Sequence, residues 1–114
     1  MDRQQALAAL LEFSSPVPQL CAALRDFPWN VETPLNALQA RHVGSVLTRY
    51  LAGGISAQDV EAWANVIECR EDIEYTPESS VGVALHELAN PYLTRPLSHS
   101  SAQELTRTLG VNAP

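Results

Sequence analysis

The chain has 114 residues, with 13 acidic residues, seven arginines and no lysine, and its formal net charge is −6. This length suits a single domain, since chains divide into two domains only well above ~150 residues. An isoelectric point near 4.8 argues against nucleic-acid binding, which requires a basic surface, but it permits a basic protein partner. No apolar run approaches the ~18 residues of a membrane span, and the N-terminus lacks the basic and apolar stretches of a secretory signal. We therefore expect a cytoplasmic protein with no membrane partner.

The first part of the chain predicts two helices separated by proline. Leu7, Leu10 and Leu11 have the spacing of one helical face, and this helix should end near the serines ahead of Pro16. Pro16 suits the first position of a second helix, because its fixed φ is compatible with the first turn. That helix should end before Pro28, since the residue preceding a proline avoids the α conformation.

The longest predicted helix is the third. Thr33-Pro34 resembles an N-cap followed by proline at the first helical position, and Gly53-Gly54 should end the helix. Its apolar side would consist of Leu35, Leu38, Val43, Val46, Leu47, Tyr50 and Leu51.

A fourth helix begins after Ser56, and Asp59 stands where a capping box places its acidic residue. Its buried stripe has the i, i+3, i+4, i+7 spacing, with Trp63 as the largest side chain. The pattern breaks after Arg70 into a polar connector over residues 71–78. We expect Trp63 to fill the core.

Two further helices complete the predicted fold. The fifth should start at Ser79 or Ser80 and stop at Asn90-Pro91. The sixth should begin with a capping box of Ser101 and Glu104 and end at Gly110. Strand-like alternation is short everywhere. The fold class is therefore predicted to be all-α, a single-domain bundle of five to six helices over residues 1–114.

The sequence offers no motif for catalysis, metal binding or a cofactor. His86-Glu87 begins a zinc-protease pattern, but Asn90 stands where the second histidine is required. We therefore interpret all three histidines as surface or boundary residues. Cys21 and Cys69 lack ligand spacing and are interpreted as packing thiols. No nucleophile elbow or phosphate-binding loop is present. We expect a protein that is not an enzyme, with no cofactor.

The acidic residues are concentrated in one third of the chain. Residues 54–91 contain eight acidic residues and one arginine, a charge of −7, whereas the remaining residues contain five acidic residues and six arginines, a charge of +1. Acidic faces often serve only solubility. Such a concentrated charge can also steer and bind a basic partner.

On this charge argument we predict a partner-binding surface in the fourth helix and the connector. Aromatic side chains favour interface centres, so Tyr75 is a candidate anchor. Trp29 is a weaker candidate, for which a core position is preferred. The predicted contact residues are Glu61, Glu68, Glu71, Asp72, Glu74, Tyr75 and Glu78.

Three stretches within residues 44–91 carry a resemblance to a known group of proteins. They are residues 50–56 (YLAGGIS), 60–73 (VEAWANVIECREDI) and 86–91 (HELANP). The sequence resembles the small helical immunity proteins of bacterial contact-dependent growth-inhibition and polymorphic toxin systems and, more distantly, the colicin D immunity proteins.

The resemblance implies a cytoplasmic inhibitor that binds a cognate toxin domain 1:1 as a monomer. The implied toxin domain is a nuclease such as a tRNase, and the charge argument adds that it is basic and that the acidic surface occludes it. No contact residue is transferred from the family, and Trp63, Arg70 and Asp72 could instead be structural. In that alternative Arg70 complements the helix dipole and pairs with a nearby acid.

Two other functions are compatible with the sequence. The first is a helical adaptor or regulatory subunit that self-associates through Trp29 or Tyr75. The second is a small metal-assisted enzyme that uses the carboxylates between Glu71 and Glu78.

Overall fold

Six α-helices make up most of the chain in the computed structural model, which describes residues 2–28 and 34–110. The predicted all-α class and helix number are therefore confirmed for this part of the chain. In chain order the helices are α1 (Arg3–Glu12), α2 (Val17–Leu24), α3 (Ala40–Leu51), α4 (Ala57–Glu68), α5 (Ser80–Ala89) and α6 (His99–Leu109).

Side-chain caps set the starts of several helices. Ser56 accepts a hydrogen bond from the Asp59 backbone N–H, and the Asp59 carboxylate accepts one from the Ser56 N–H, as predicted for α4. Helix α5 begins at Ser80, one of the two predicted starts, and Ser79 is its cap. The predicted start of α6 was wrong, because Ser98 caps this helix through Ser101 and the helix begins about one turn earlier.

The start of the third helix was also wrong. The helix begins at Ala40, and Pro34 lies outside it, whereas Thr33 falls outside the described residues. Short strand β1 (Asn36–Ala37) instead pairs in parallel with β2 (Ile73–Glu74). The Leu38 N–H then donates to the carbonyl of Glu74 at 2.9 Å. Pairing with a distant segment therefore replaces the first predicted turn of the helix.

The apolar faces of the helices meet in one hydrophobic cluster. Trp63 is fully buried, as predicted, and its indole N–H donates to the carbonyl of Leu10 at 2.6 Å. Its ring lies 6.2 Å from the ring of Phe13, measured between centroids. Trp63 thus joins α4 to the end of α1.

His42 is buried, which corrects its interpretation as a surface or boundary residue. Its Nδ1 accepts a hydrogen bond from the Gln39 N–H at 2.9 Å and thereby caps the start of α3. Its Nε2 lies 3.4 Å from the Glu12 carboxylate. Burial, followed by the charge of Arg41, lowers the pKa of His42 below its ordinary value of 6.5 despite the opposing effect of Glu12. The cap therefore requires the neutral imidazole.

This arrangement predicts that acid weakens the fold through His42. Below about pH 6.5, His42 binds a proton more readily in the unfolded chain than in the folded chain. The contribution of neutral His42 to the free energy of unfolding is therefore present above that pH and is lost as the pH falls. Urea unfolding between pH 7.5 and 5.5 should show the decrease. A His42→Gln variant should flatten the pH dependence, because glutamine does not titrate. Its side chain can still reach back to the cap N–H, so the cap is retained.

His99→Gln provides the matched control for this prediction. His99 is exposed, and its ring packs edge-on against Tyr50 at 5.6 Å. The control should retain the wild-type pH dependence because His42 is still present. An unchanged pH dependence in His42→Gln would contradict the assignment.

Candidate protein-interaction surface

Three acids of the connector between α4 and α5 are exposed, as predicted. They are Glu71, Glu74 and Glu78, and no basic group of the described residues lies within ion-pair distance of their carboxylates. We call these three residues the connector acids. Their side chains are available to a partner at no cost in internal ion pairs.

The backbone of the connector is packed tightly against the fold. Gly82 in the first turn of α5 lies so close to Thr76 and Pro77 that a Cβ on residue 82 would clash with their backbone atoms. Ser79 donates its hydroxyl to the Thr76 carbonyl at 2.6 Å. The connector acids therefore stand on an ordered segment, which reduces the entropy lost on binding.

Asp72 does not belong to the surface, and its predicted role as an exposed contact is corrected. Its side chain is fully buried. Arg70 donates to both carboxylate oxygens at 2.9 and 2.8 Å, and Arg3 donates to one of them at 3.1 Å. Burial acts to raise the pKa of Asp72, but the hydrogen bonds and charges of the two arginines outweigh it and hold the pKa below 3.8. Asp72 is a structural anion.

The surroundings of Asp72 explain why it is buried. Both arginines also donate to the carbonyl of Pro28, and the Asp72 carbonyl accepts from the N–H groups of Leu35 and Asn36. This cluster joins α1, the segment that follows α2, β1 and the end of α4. The alternative interpretation, in which Arg70 pairs with a nearby acid, is thus confirmed.

Glu68 and Tyr75 are both only partly exposed, and the charge of Glu68 acts on the Tyr75 phenol. The Glu68 carboxylate lies 3.0 Å from Nδ1 of the exposed His86 and accepts from the Asn90 amide at 3.1 Å. Tyr75 is half-buried, and burial, then the charge of Glu68 and that of Cys69, raises its phenol pKa above 10.0. This pair can contribute contact area next to the connector acids, and His86 and Asn90 already orient the Glu68 carboxylate.

Glu61 lies two turns before Glu68 on α4, about 10 Å away along the axis. It lines a groove of about 220 Å³ between the start of α4 and the turn that follows α5. Glu87, in the same groove, accepts a hydrogen bond from Arg95 at 2.9 Å, and Arg95 also contacts Glu104 at 2.8 Å. The carboxylate of Glu61 has no basic partner among the described residues.

Sequence reasoning missed the most exposed apolar residues of the described chain. Tyr92 is 97% exposed and Leu93 is 77% exposed, and the Tyr92 side chain borders the same groove. Both follow Pro91 in a turn, outside any helical stripe. The sequence signal for their exposure was that two large apolar residues lie between two prolines and fit no helical stripe. Exposed tyrosines are favoured at interfaces.

Trp29, the second aromatic candidate, lies outside the described residues. Cys21 is partly buried against the core, as expected of a packing thiol, but Cys69 is exposed, so that interpretation was wrong for Cys69. Within residues 2–28 and 34–110, no three His, Cys, Asp or Glu side chains are grouped so that they could hold a metal ion. None of the helices described is long and apolar enough to span a membrane.

Comparison with known proteins gives no further assignment. No family model matches the chain, and neither the curated proteins nor the solved structures contain a match.

Proposed function

We propose that this protein is a non-enzymatic inhibitor of the immunity type, which binds a basic toxin domain in the cytoplasm and occludes it. The observation that carries the proposal is that the carboxylates of Glu61 and the connector acids, on α4 and the segment that follows it, have no basic partner among the described residues. The corrected contact set is Glu61, Glu68, Glu71, Glu74, Tyr75 and Glu78, with Asp72 removed.

Electrostatic steering suits such an inhibitor. It must reach its target before the target acts, and opposite charges raise association rates by ten- to a thousandfold at low salt, roughly speaking. A nuclease has to present positive charge to its own substrate, so an acidic surface can compete for the same site. The binding surface then resembles a phosphate backbone in charge only.

The test is co-expression with the toxin domain that the proposal requires, taken from the C-terminal region of the reading frame directly upstream. Rescue of growth and co-purification of a 1:1 complex support the proposal. Neutralising the connector acids together, as Glu71→Gln, Glu74→Gln and Glu78→Gln, should lower the association rate constant roughly tenfold at low salt. The wild-type rate should also fall steeply as salt rises from tens to hundreds of millimolar.

A control with the same change in net charge makes this result specific. Ala8→Lys, Gln19→Lys and Ala23→Lys add three positive charges at exposed positions of α1 and α2. This variant should associate nearly as fast as the wild type. Equal slowing of both variants would show that net charge, not the connector, sets the rate. Absence of rescue and of a complex would remove the proposed function itself.

A helical adaptor that self-associates is the second candidate, favoured by the exposure of Tyr92 and Leu93. Its discriminating observation is a solution mass above that of one chain in the absence of any partner.

A further inference from the structure

We propose that the groove beside Glu61 binds an arginine side chain of the basic partner. This inference rests on the proposed function, because it assigns a specific contact to the partner that the function requires. Its evidence is separate from the connector acids. It consists of the shape, the charge and the exposed ring of the groove.

The walls of the groove suit an aliphatic stem. Leu88, Pro91 and Leu97 form much of its lining, and its volume is about 220 Å³. Arginine and lysine side chains bury their methylene stems on apolar surface while their charged groups remain at its edge. An apolar slot bordered by carboxylates has this pattern.

The charge at the groove is negative even after internal pairing. Of the charged residues that line the groove, the carboxylates of Glu61 and Glu87 are opposed by the single guanidinium of Arg95, which leaves a formal charge of −1, and Arg95 is also shared with Glu104 outside the lining. The positive dipole end of α4 is also near, but the C-terminal end of α5 lines the same groove and offsets it. Because Arg95 is already shared by Glu87 and Glu104, Glu61 is the carboxylate left for an incoming cation.

The ring of Tyr92 favours arginine over lysine as the occupant. Tyr92 is 97% exposed, so the faces of its ring are open to a ligand. A guanidinium is planar and weakly hydrated, stacks on aromatic faces, and can donate two hydrogen bonds to one carboxylate at the same time. A lysine ammonium is not planar, so it can neither stack on the ring in this way nor donate a parallel pair of hydrogen bonds to one carboxylate.

The inference can be tested without the toxin. Amide NMR spectra of the full chain are recorded during titration with N-acetyl-arginine amide, at constant ionic strength. N-acetyl-citrulline amide, which has nearly the same shape but no charge, is the matched probe. We expect saturable millimolar binding of the arginine probe, with shifts confined to residues around Glu61, Leu88 and Tyr92. Binding of the citrulline probe should be at least about fivefold weaker.

Variants locate the site within the groove. Glu61→Gln and Tyr92→Ala should each weaken binding of the arginine probe severalfold, and neither should unfold the chain because neither residue is part of the buried cluster. Asp26→Asn, which removes one negative charge at an exposed position outside the groove, should not. Scattered or unsaturable shifts, or equal binding of both probes, would overturn the inference.

The two proposals fail in different ways. If the arginine probe binds at the groove but co-expression gives no rescue, the groove assignment stands and the immunity function fails. If rescue and a complex are observed but Glu61→Gln and Tyr92→Ala leave the toxin affinity unchanged, the immunity function stands and the groove assignment fails.

Discussion

Replacement of Trp63 by alanine should lower the free energy of unfolding by about 3–5 kcal/mol. The indole is fully buried, packs near Phe13 and donates a hydrogen bond to the Leu10 carbonyl, so truncation removes both packing and a polar contact. A domain of this size has a total stability on the order of 5–15 kcal/mol. The variant should therefore be marginally folded at 25 °C.

Urea or guanidinium unfolding measures this loss, and Tyr92→Ala is the matched control. It also removes a large aromatic side chain, but one that is 97% exposed, so its stability should change by less than about 0.5 kcal/mol. Trp63→Phe should lie between the two, since the Leu10 carbonyl still accepts from the Phe13 N–H at 3.0 Å. A Trp63→Ala loss of about 1 kcal/mol or less would contradict a closed core at this position.

Local patterns in the sequence were sufficient to predict most of the fold. The stripe that includes Val60, Trp63 and Ile67 is buried as expected, because a 3.6-residue period and a cap at Ser56 are both local properties. The same holds for α5, whose cap at Ser79 was within one residue of the prediction. Where caps and periodicity agree, little beyond the segment itself is needed.

Local periodicity and capping patterns could not predict the start of α3. Leu35 and Leu38 have helical spacing, but Leu38 is buried through its place next to β1, and Leu35 is 37% exposed. The deciding interactions are backbone hydrogen bonds to Asp72 and Glu74, more than 35 residues away along the chain. Helical periodicity is a property of one segment, so it cannot reveal a strand partner that lies so far away along the chain.

The candidate site could be predicted only where it depends on residues close together in the sequence. The position of the acidic segment identified Glu71, Glu74 and Glu78, which are exposed and have no basic partner among the described residues. The burial of Asp72 depends on Arg3, 69 residues earlier, which no local pattern connects to it. Net charge counted along the sequence therefore overstates the charge that the folded surface can present.

Asp72→Asn should be the second strongly destabilising change, with a loss of about 3–5 kcal/mol. Asparagine has nearly the same shape as aspartate, but it leaves the guanidinium groups of Arg3 and Arg70 near each other without an anion between them. Their side chains are only 18% and 10% exposed, so water cannot compensate fully. Chemical denaturation at pH 7 measures the loss, and Glu71→Gln, the adjacent exposed acid, should change stability by less than about 0.5 kcal/mol.

The pH dependence separates the charge of Asp72 from its shape. The pKa of Asp72 is lower in the folded chain than its ordinary value of 3.8, so its contribution is present above about pH 4 and is lost as the pH falls through the folded pKa. The stability difference between wild type and Asp72→Asn should therefore be largest near neutral pH and should shrink below about pH 4, as the wild-type carboxylate becomes protonated. A difference that stays constant down to pH 2 would mean that the substitution acts through packing, and the ion-pair account of this cluster would be wrong.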